Sequence, residues 1–218
     1  MSELRTEEEH IEAIKNWWRK NGGSLLIGIG LALAVIFGWQ AWQNHVQSEH
    51  AAAQNQFNSL MTALQEADQD KRAESVGYIA EKLKDDYGDT SYAVYGTLVL
   101  AQIQISDQND VEAAIESLEW ATNHSDRSTA LQLLIASRLA RAYYAAGRYD
   151  DALDALAKIK KPGAFEPTIA ELRGDILLEQ GDVQAAREAY QQAADATEGP
   201  ITTLLSAKMA DLGLQGEG

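Results

Sequence analysis

The sequence predicts an all-α protein: one N-terminal transmembrane helix, then an α-solenoid of three to four helix pairs closed by a C-terminal capping helix. Three observations carry that reading. An uncharged apolar run fills 24–42 and is flanked by tryptophans. Ala, Leu, Glu, Gln and Asp dominate the remainder, with only 3 Pro in 218 residues. Similar segments recur at intervals of 38 and 34 residues. Strand-like alternation leading into Asn-Gly or Asp-Gly turns is absent, so no sheet is expected.

The chain divides by polarity into a tail at 1–23, the apolar run at 24–42 and a polar domain at 43–218. The run is about the 20 residues a helix needs to cross the hydrocarbon core of a bilayer. Trp17 and Trp18 stand at one end, Trp39 and Trp42 at the other, where an apolar ring with a polar N–H prefers the headgroup level. Lys15, Arg19 and Lys20 precede the run, and the next basic residue is Lys71. The positive-inside rule therefore places the N-terminus in the cytoplasm and the domain outside it. A cleaved signal would show small residues just after its apolar core. Here the core runs into FGWQAWQNHV, ALA at 32–34 is mid-core, and AAA at 51–53 lies too far downstream. An uncleaved single-pass anchor is expected. Within it Gly30, Ala34 and Gly38 recur every four residues, as do Ser24, Gly28 and Ala32. Small residues at that spacing let a second helix approach closely in a membrane.

Charge and cysteine content bound the partners. The formal net charge is −15, and from Gln43 onward 14 basic residues face 28 acidic ones. Nucleic-acid phosphates and anionic lipid surfaces would repel such a domain as a whole. With no cysteine, disulfides, thiol catalysis and Cys-based zinc sites are excluded, while an oxidising compartment is not.

The polar domain is built from repeats. NDVEAAIESLEWA (109–121), GRYDDALDALAKI (147–159) and GDVQAAREAYQQA (181–193) align. Gly147 and Gly181 read as left-handed helix caps, with Asn109 the next-best residue for that conformation. Val111, Tyr149 and Val183 follow as apolar positions. Ala114, Ala152 and Ala186 fall where two antiparallel helices must cross closely, and Leu118, Leu156 and Tyr190 fill the gap one turn later. Ile105, Tyr143 and Leu177 share one site in the preceding helices. The extra residues of the first interval fit a longer loop at 123–128.

These features resemble the tetratricopeptide repeat, whose period is about 34 residues; the resemblance covers about 97–200. It departs from the consensus where Thr97, Ala136 and Ala170 replace an early tryptophan, where Asn109 replaces the turn glycine, and where Arg173, beside Leu172, occupies a leucine site. Upstream, Phe57, Leu60, Met61 and Leu64 lie at helical spacing and mark a degenerate further pair whose first helix could continue from the membrane. Downstream, PITTLLSAKMADLG starts with Pro200 and forms one amphipathic helix over about 200–213, the cap that an open solenoid end requires.

No catalytic motif accompanies this architecture. The chain has no P-loop, no Gly-x-Ser-x-Gly elbow and no His-Glu-x-x-His pair, and GIG at 28–30 lies inside the membrane run. His45 and His50 are five apart and share no helix face, while His10 and His124 are isolated. Asp85 and Asp86, like Asp150 and Asp151, read as helix-end carboxylates favoured by the dipole. No enzyme, metal or cofactor is expected. A helical solenoid offers instead a concave surface made by the first helix of each pair. On the repeat register Ser137, Arg141, Tyr144, Glu171, Asp175 and Leu178 face it, with Arg141 suited to a carboxylate and Tyr144 to amphipathic contact.

Taken whole, EAIKNWWRKNG before the anchor, GWQAWQNH after it and ELRGDILLEQGD at 171–182 resemble the YfgM family of Gram-negative bacteria. That resemblance runs over essentially the full chain. It implies an ancillary subunit of the Sec translocon in the inner membrane, with a periplasmic domain acting as chaperone or adaptor. The implied partners are the SecYEG channel, PpiD (a membrane-anchored periplasmic chaperone) and emerging secretory proteins. A scaffold or regulator of an envelope stress or assembly complex is the alternative.

Overall fold

The computed structural model describes residues 2–125 and 129–214, and every regular element among them is helical. The longer loop expected over 123–128 falls partly outside the described residues: Asn123 and His124 complete a helix, and 126–128 are not described. Two compact units are distinguished, Met1–Ala51 and Ala52–Gly218.

Helix α1, Ser2–Ala63, supplies the first unit and enters the second. It passes the expected boundaries at 23 and 42 without a break, so those boundaries rest on polarity alone. Leu26, Leu31, Val35 and Phe37 are each more than half exposed. The most apolar window of α1 has mean hydropathy 2.0 and is 6% buried, making it long and apolar enough to cross a membrane. A Cβ placed on Gly30 or Gly38 would meet nothing within 4 Å.

In the second unit the end of α1 is followed by α2 (Gln69–Tyr87), α3 (Ser91–Ser106), α4 (Val111–His124) and α5 (Thr129–Ala145). Then come α6 (Tyr149–Ala157), α7 (Glu166–Glu179), α8 (Val183–Asp195) and α9 (Thr203–Asp211). Short polar caps set most of the starts. Asp68, Thr90, Asp110, Asp182 and Thr202 each accept a hydrogen bond from the backbone N–H three residues on, satisfying a donor that the first turn leaves open. Asn109, Gly147 and Gly181 adopt left-handed φ values of 53°, 72° and 84°, as the repeat alignment expects. Each lets the chain leave a first helix and enter a second within a few residues.

The end of α1 and α2 pack with α3 as a first, divergent unit; α3 with α4, α5 with α6 and α7 with α8 form pairs, capped by α9. The crossing alanines Ala114, Ala152 and Ala186 are fully buried, and Leu118, Leu156 and Tyr190 are 1% exposed. Neighbouring pairs share successive cores. Ala53, Leu60, Val76, Leu83 and Leu100 pack between the end of α1, α2 and α3. A larger cluster runs from Val94 and Leu98 through Ile115 and Leu139 to Ile176. Tyr190, Leu205 and Met209 close the last pair against α9. Stability of such an array is a sum of each pair and its contacts with the next.

Several expectations are corrected in detail. Met61 and Ile105 are 43% and 38% exposed, because each lies off the buried stripe that Leu60 and Ile103 occupy. Pro200 lies ahead of the capping helix, whose N-cap is Thr202. Asp85 and Asp86 sit near the C-terminus of α2, where the dipole disfavours carboxylates; Asp150 and Asp151 do occupy a first turn. At the divergent leucine site the chain has rotated the burial by one residue: Leu172 is 6% exposed, and Arg173 Nη1 reaches out to Gln192 Oε1 at 3.2 Å.

Candidate functional site

The expected inner surface lies on α5 and α7, the first helices of the last two pairs. On α5, Ser137 is half-buried and returns its Oγ hydrogen to the Leu134 carbonyl at 3.0 Å. Arg141, one turn on, is exposed and forms no ion pair among the described residues. Tyr144 is half-buried, with its ring 6.0 Å from that of Tyr149. Burial raises the Tyr144 hydroxyl pKa, with Glu179 and Asp175 adding to the shift and Lys208 opposing it.

On α7, Glu171 and Asp175 stand one turn apart and Leu178 follows, 37% exposed. The two carboxylates are not open to a partner in the way the register alone suggests. Lys208 of α9 places Nζ 2.7 Å from Glu171 Oε1 and 2.8 Å from Asp175 Oδ1. Tyr190 of α8 donates its hydroxyl to Asp175 Oδ1 at 2.8 Å. Burial lowers the Lys208 pKa, but the hydrogen bonds to Asp175 and Glu171 outweigh it and the net shift is upward. Burial and the bond to Asp175 likewise push the Tyr190 hydroxyl upward.

The structure thus brings Tyr144, Glu171, Asp175 and Lys208 into one neighbourhood and leaves Ser137, Arg141 and Leu178 around it, with no side-chain hydrogen bond or ion pair across the helices among the described residues. Lys208 and Tyr190 were missed as members of this cluster. No local spacing announces Lys208, because its contacts lie 33 and 37 residues back along the chain. What the arrangement offers chemically is contact: an amphipathic ring, a guanidinium without an ion pair among the described residues and an exposed leucine, beside two carboxylates that share one lysine. A second carboxylate–tyrosine contact lies outside this surface. Tyr143 donates its hydroxyl to Glu119, and burial, followed by that bond, pushes its pKa up to about 12.

Among the described residues no histidine joins a group of three or more ligand-type side chains. His45 lies 3.4 Å from Glu49 on an exposed helix face, and His124 stacks on Trp120 at 4.0 Å.

Comparison with known proteins agrees with this architecture. The family model described as a tetratricopeptide repeat-like domain matches 15–214. A relative from Haemophilus influenzae is 31% identical over 86% of this chain and 88% of its own length. One from Escherichia coli is 32% identical over 88% of each, and one from Neisseria gonorrhoeae is 28% identical over 86% and 87%. Each of the three carries the name ancillary SecYEG translocon subunit. With the helix pairs, the left-handed turns and matches of that extent in hand, the chain belongs to the tetratricopeptide repeat-like domain family and, within it, to the YfgM family of ancillary SecYEG translocon subunits.

Proposed function

We propose that this protein is a membrane-anchored, non-catalytic adaptor or chaperone of the Sec translocon. Residues 24–42 cross the inner membrane, 1–23 lie in the cytoplasm and 43–218 form a periplasmic binding domain. The observation that carries the reading is the match to ancillary SecYEG translocon subunits over 86–88% of the chain. The physical features are consistent with it. A helix whose apolar window is 6% buried has no soluble core to cover it and suits a bilayer. A solenoid of helix pairs presents a broad inner face for polypeptide partners. Its members on this reading are Ser137, Arg141, Tyr144 and Leu178, beside Glu171 and Asp175. SecYEG, a PpiD-like periplasmic chaperone and emerging secretory chains are the partners, and Gly30, Ala34 and Gly38 form the face on which a membrane helix packs.

The test is photo-crosslinking in living cells, with one probe at Tyr144 and another at Ala34. Adducts of the Tyr144 probe with nascent exported chains or a periplasmic chaperone, and of the Ala34 probe with channel subunits, are the expected result. Adducts with an unrelated envelope complex alone would replace this reading by a scaffold or regulator of that complex.

A further inference from the structure

A cleft of about 430 Å³ opens between α4, α5 and the end of α6, with Leu133, Ala136, Leu139 and Ile159 in its lining. Its origin is a missing side chain. Ala136 stands where the tetratricopeptide pattern carries a tryptophan. At the two equivalent sites Thr97 and Ala170 are fully buried, so neighbours have closed over them. Ala136 is instead half-buried and lines open space. None of Ser137, Arg141 and Tyr144 lines this cleft; they lie roughly a third of a turn away around α5.

The charge around the cleft runs against that of the molecule. Lys158, Lys160 and Lys161 all line it, and none pairs with a carboxylate among the described residues. Two acidic residues share the lining, Asp151 and Asp154. Asp151 pairs at 2.8 Å with Arg148, which also lies 3.6 Å from Glu112, and Glu119 accepts from Tyr143 at the far end. At the 158–161 end Asp154 alone faces three lysines. In a chain of net charge −15 that end is a local positive field beside an apolar hollow, and such a field selects partners of opposite sign. A mostly apolar concavity with a few charged groups at its edge is the usual form of a specific binding site.

We propose that this cleft is a docking site for a short acidic segment of a partner protein, which inserts apolar side chains over Ala136 and sets its carboxylates against Lys158, Lys160 and Lys161. The site is separate from the inner surface of the first helices, so both can be occupied at once. The acidic remainder of the domain repels such a segment elsewhere and so directs it here.

The test uses the full chain in nanodiscs of phosphatidylcholine and two fluorescein-labelled peptides, EDLFLDE and its basic counterpart KKLFLKK, read by fluorescence anisotropy. Saturable binding of EDLFLDE that weakens with added salt is expected, with KKLFLKK bound at least about tenfold more weakly. The double variant Lys160→Glu, Lys161→Glu, which changes exposed side chains only, should lose about tenfold or more in affinity. Ala136→Trp should block binding by filling the hollow, and Tyr78→Ser, at an exposed position of α2 outside both surfaces, should leave it unchanged. Equal binding of the two peptides, insensitivity to the lysine reversals, or no saturable binding would overturn the proposal. So would displacement of EDLFLDE by phosphatidylglycerol vesicles as readily as by unlabelled peptide, which would assign the lysines to lipid. Because Tyr144 is outside the cleft, failure here leaves the translocon reading and its crosslinking test untouched.

Discussion

A Cβ built on Gly174 would lie 2.5 Å from Cδ1 and Cε1 of Tyr190, so α7 and α8 approach as closely as they do because position 174 carries no side chain. The ring cannot easily retreat, since its hydroxyl is held by Asp175. Gly174→Ala is therefore expected to destabilise the domain by about 1–3 kcal/mol, the usual range for overpacking a filled core. Gly77, inside α2, is the control: a Cβ there meets nothing within 4 Å. Gly77→Ala should stabilise by about 0.5–1 kcal/mol through the lost backbone freedom of the unfolded chain. Thermal unfolding of the two variants by circular dichroism checks both signs at once. Glycine in a helix is legible in a sequence, but which glycine a tyrosine has been packed against is not.

Helix α9 is held in two ways. Leu205 and Met209 are buried against the last pair, and Lys208 ties it to Glu171 and Asp175 on α7. Lys208→Met keeps much of the aliphatic length and removes the charge. The two carboxylates it contacts are each 23% exposed, so solvent partly screens the loss, and roughly 1 kcal/mol is expected. That loss should be local: amide hydrogen exchange should quicken in α9 while α3 and α4 keep their protection, because each pair of a solenoid leans only on its neighbours. Uniform loss of protection would contradict the separable packing of the cap. The capping helix itself was legible from its amphipathic spacing and its place after the last repeat. That Lys208 occupies two of the six expected inner-surface residues was not, because the contact joins elements far apart in sequence.

For the domain as a whole, several groups that titrate above neutrality are shifted one way. Tyr143, Tyr144, Tyr190 and Lys208 all have pKa values raised in the folded state. Each therefore holds its proton after its unfolded counterpart has released it. Their contribution to stability is complete below the ordinary values near 10.0 and 10.5 and is lost as pH rises through the folded values, which for Tyr143 is about 12. The melting temperature should fall progressively above pH 10. Replacing Tyr143 by Phe should flatten part of that fall, and tyrosinate absorbance should show late ionisation of the native rings. An unfolding midpoint that is flat between pH 9 and pH 12 would contradict these assignments.

The all-helical class, the apolar membrane-length run, the paired repeats and their caps were legible in the order of residues alone. They depend on local rules: polarity over a helical turn, a capping side chain three residues from an open N–H, a left-handed turn at Asn109, Gly147 or Gly181. The rest required distant residues to meet. Lys208 on the α7 carboxylates, Tyr190 against Gly174 and the hollow over Ala136 are each set by how one helix settles against another. At Thr97 and Ala170 neighbouring side chains closed the space of a missing tryptophan, and at Ala136 they did not. The pattern of residues records the substitution in all three places; packing alone determines which one becomes a cleft.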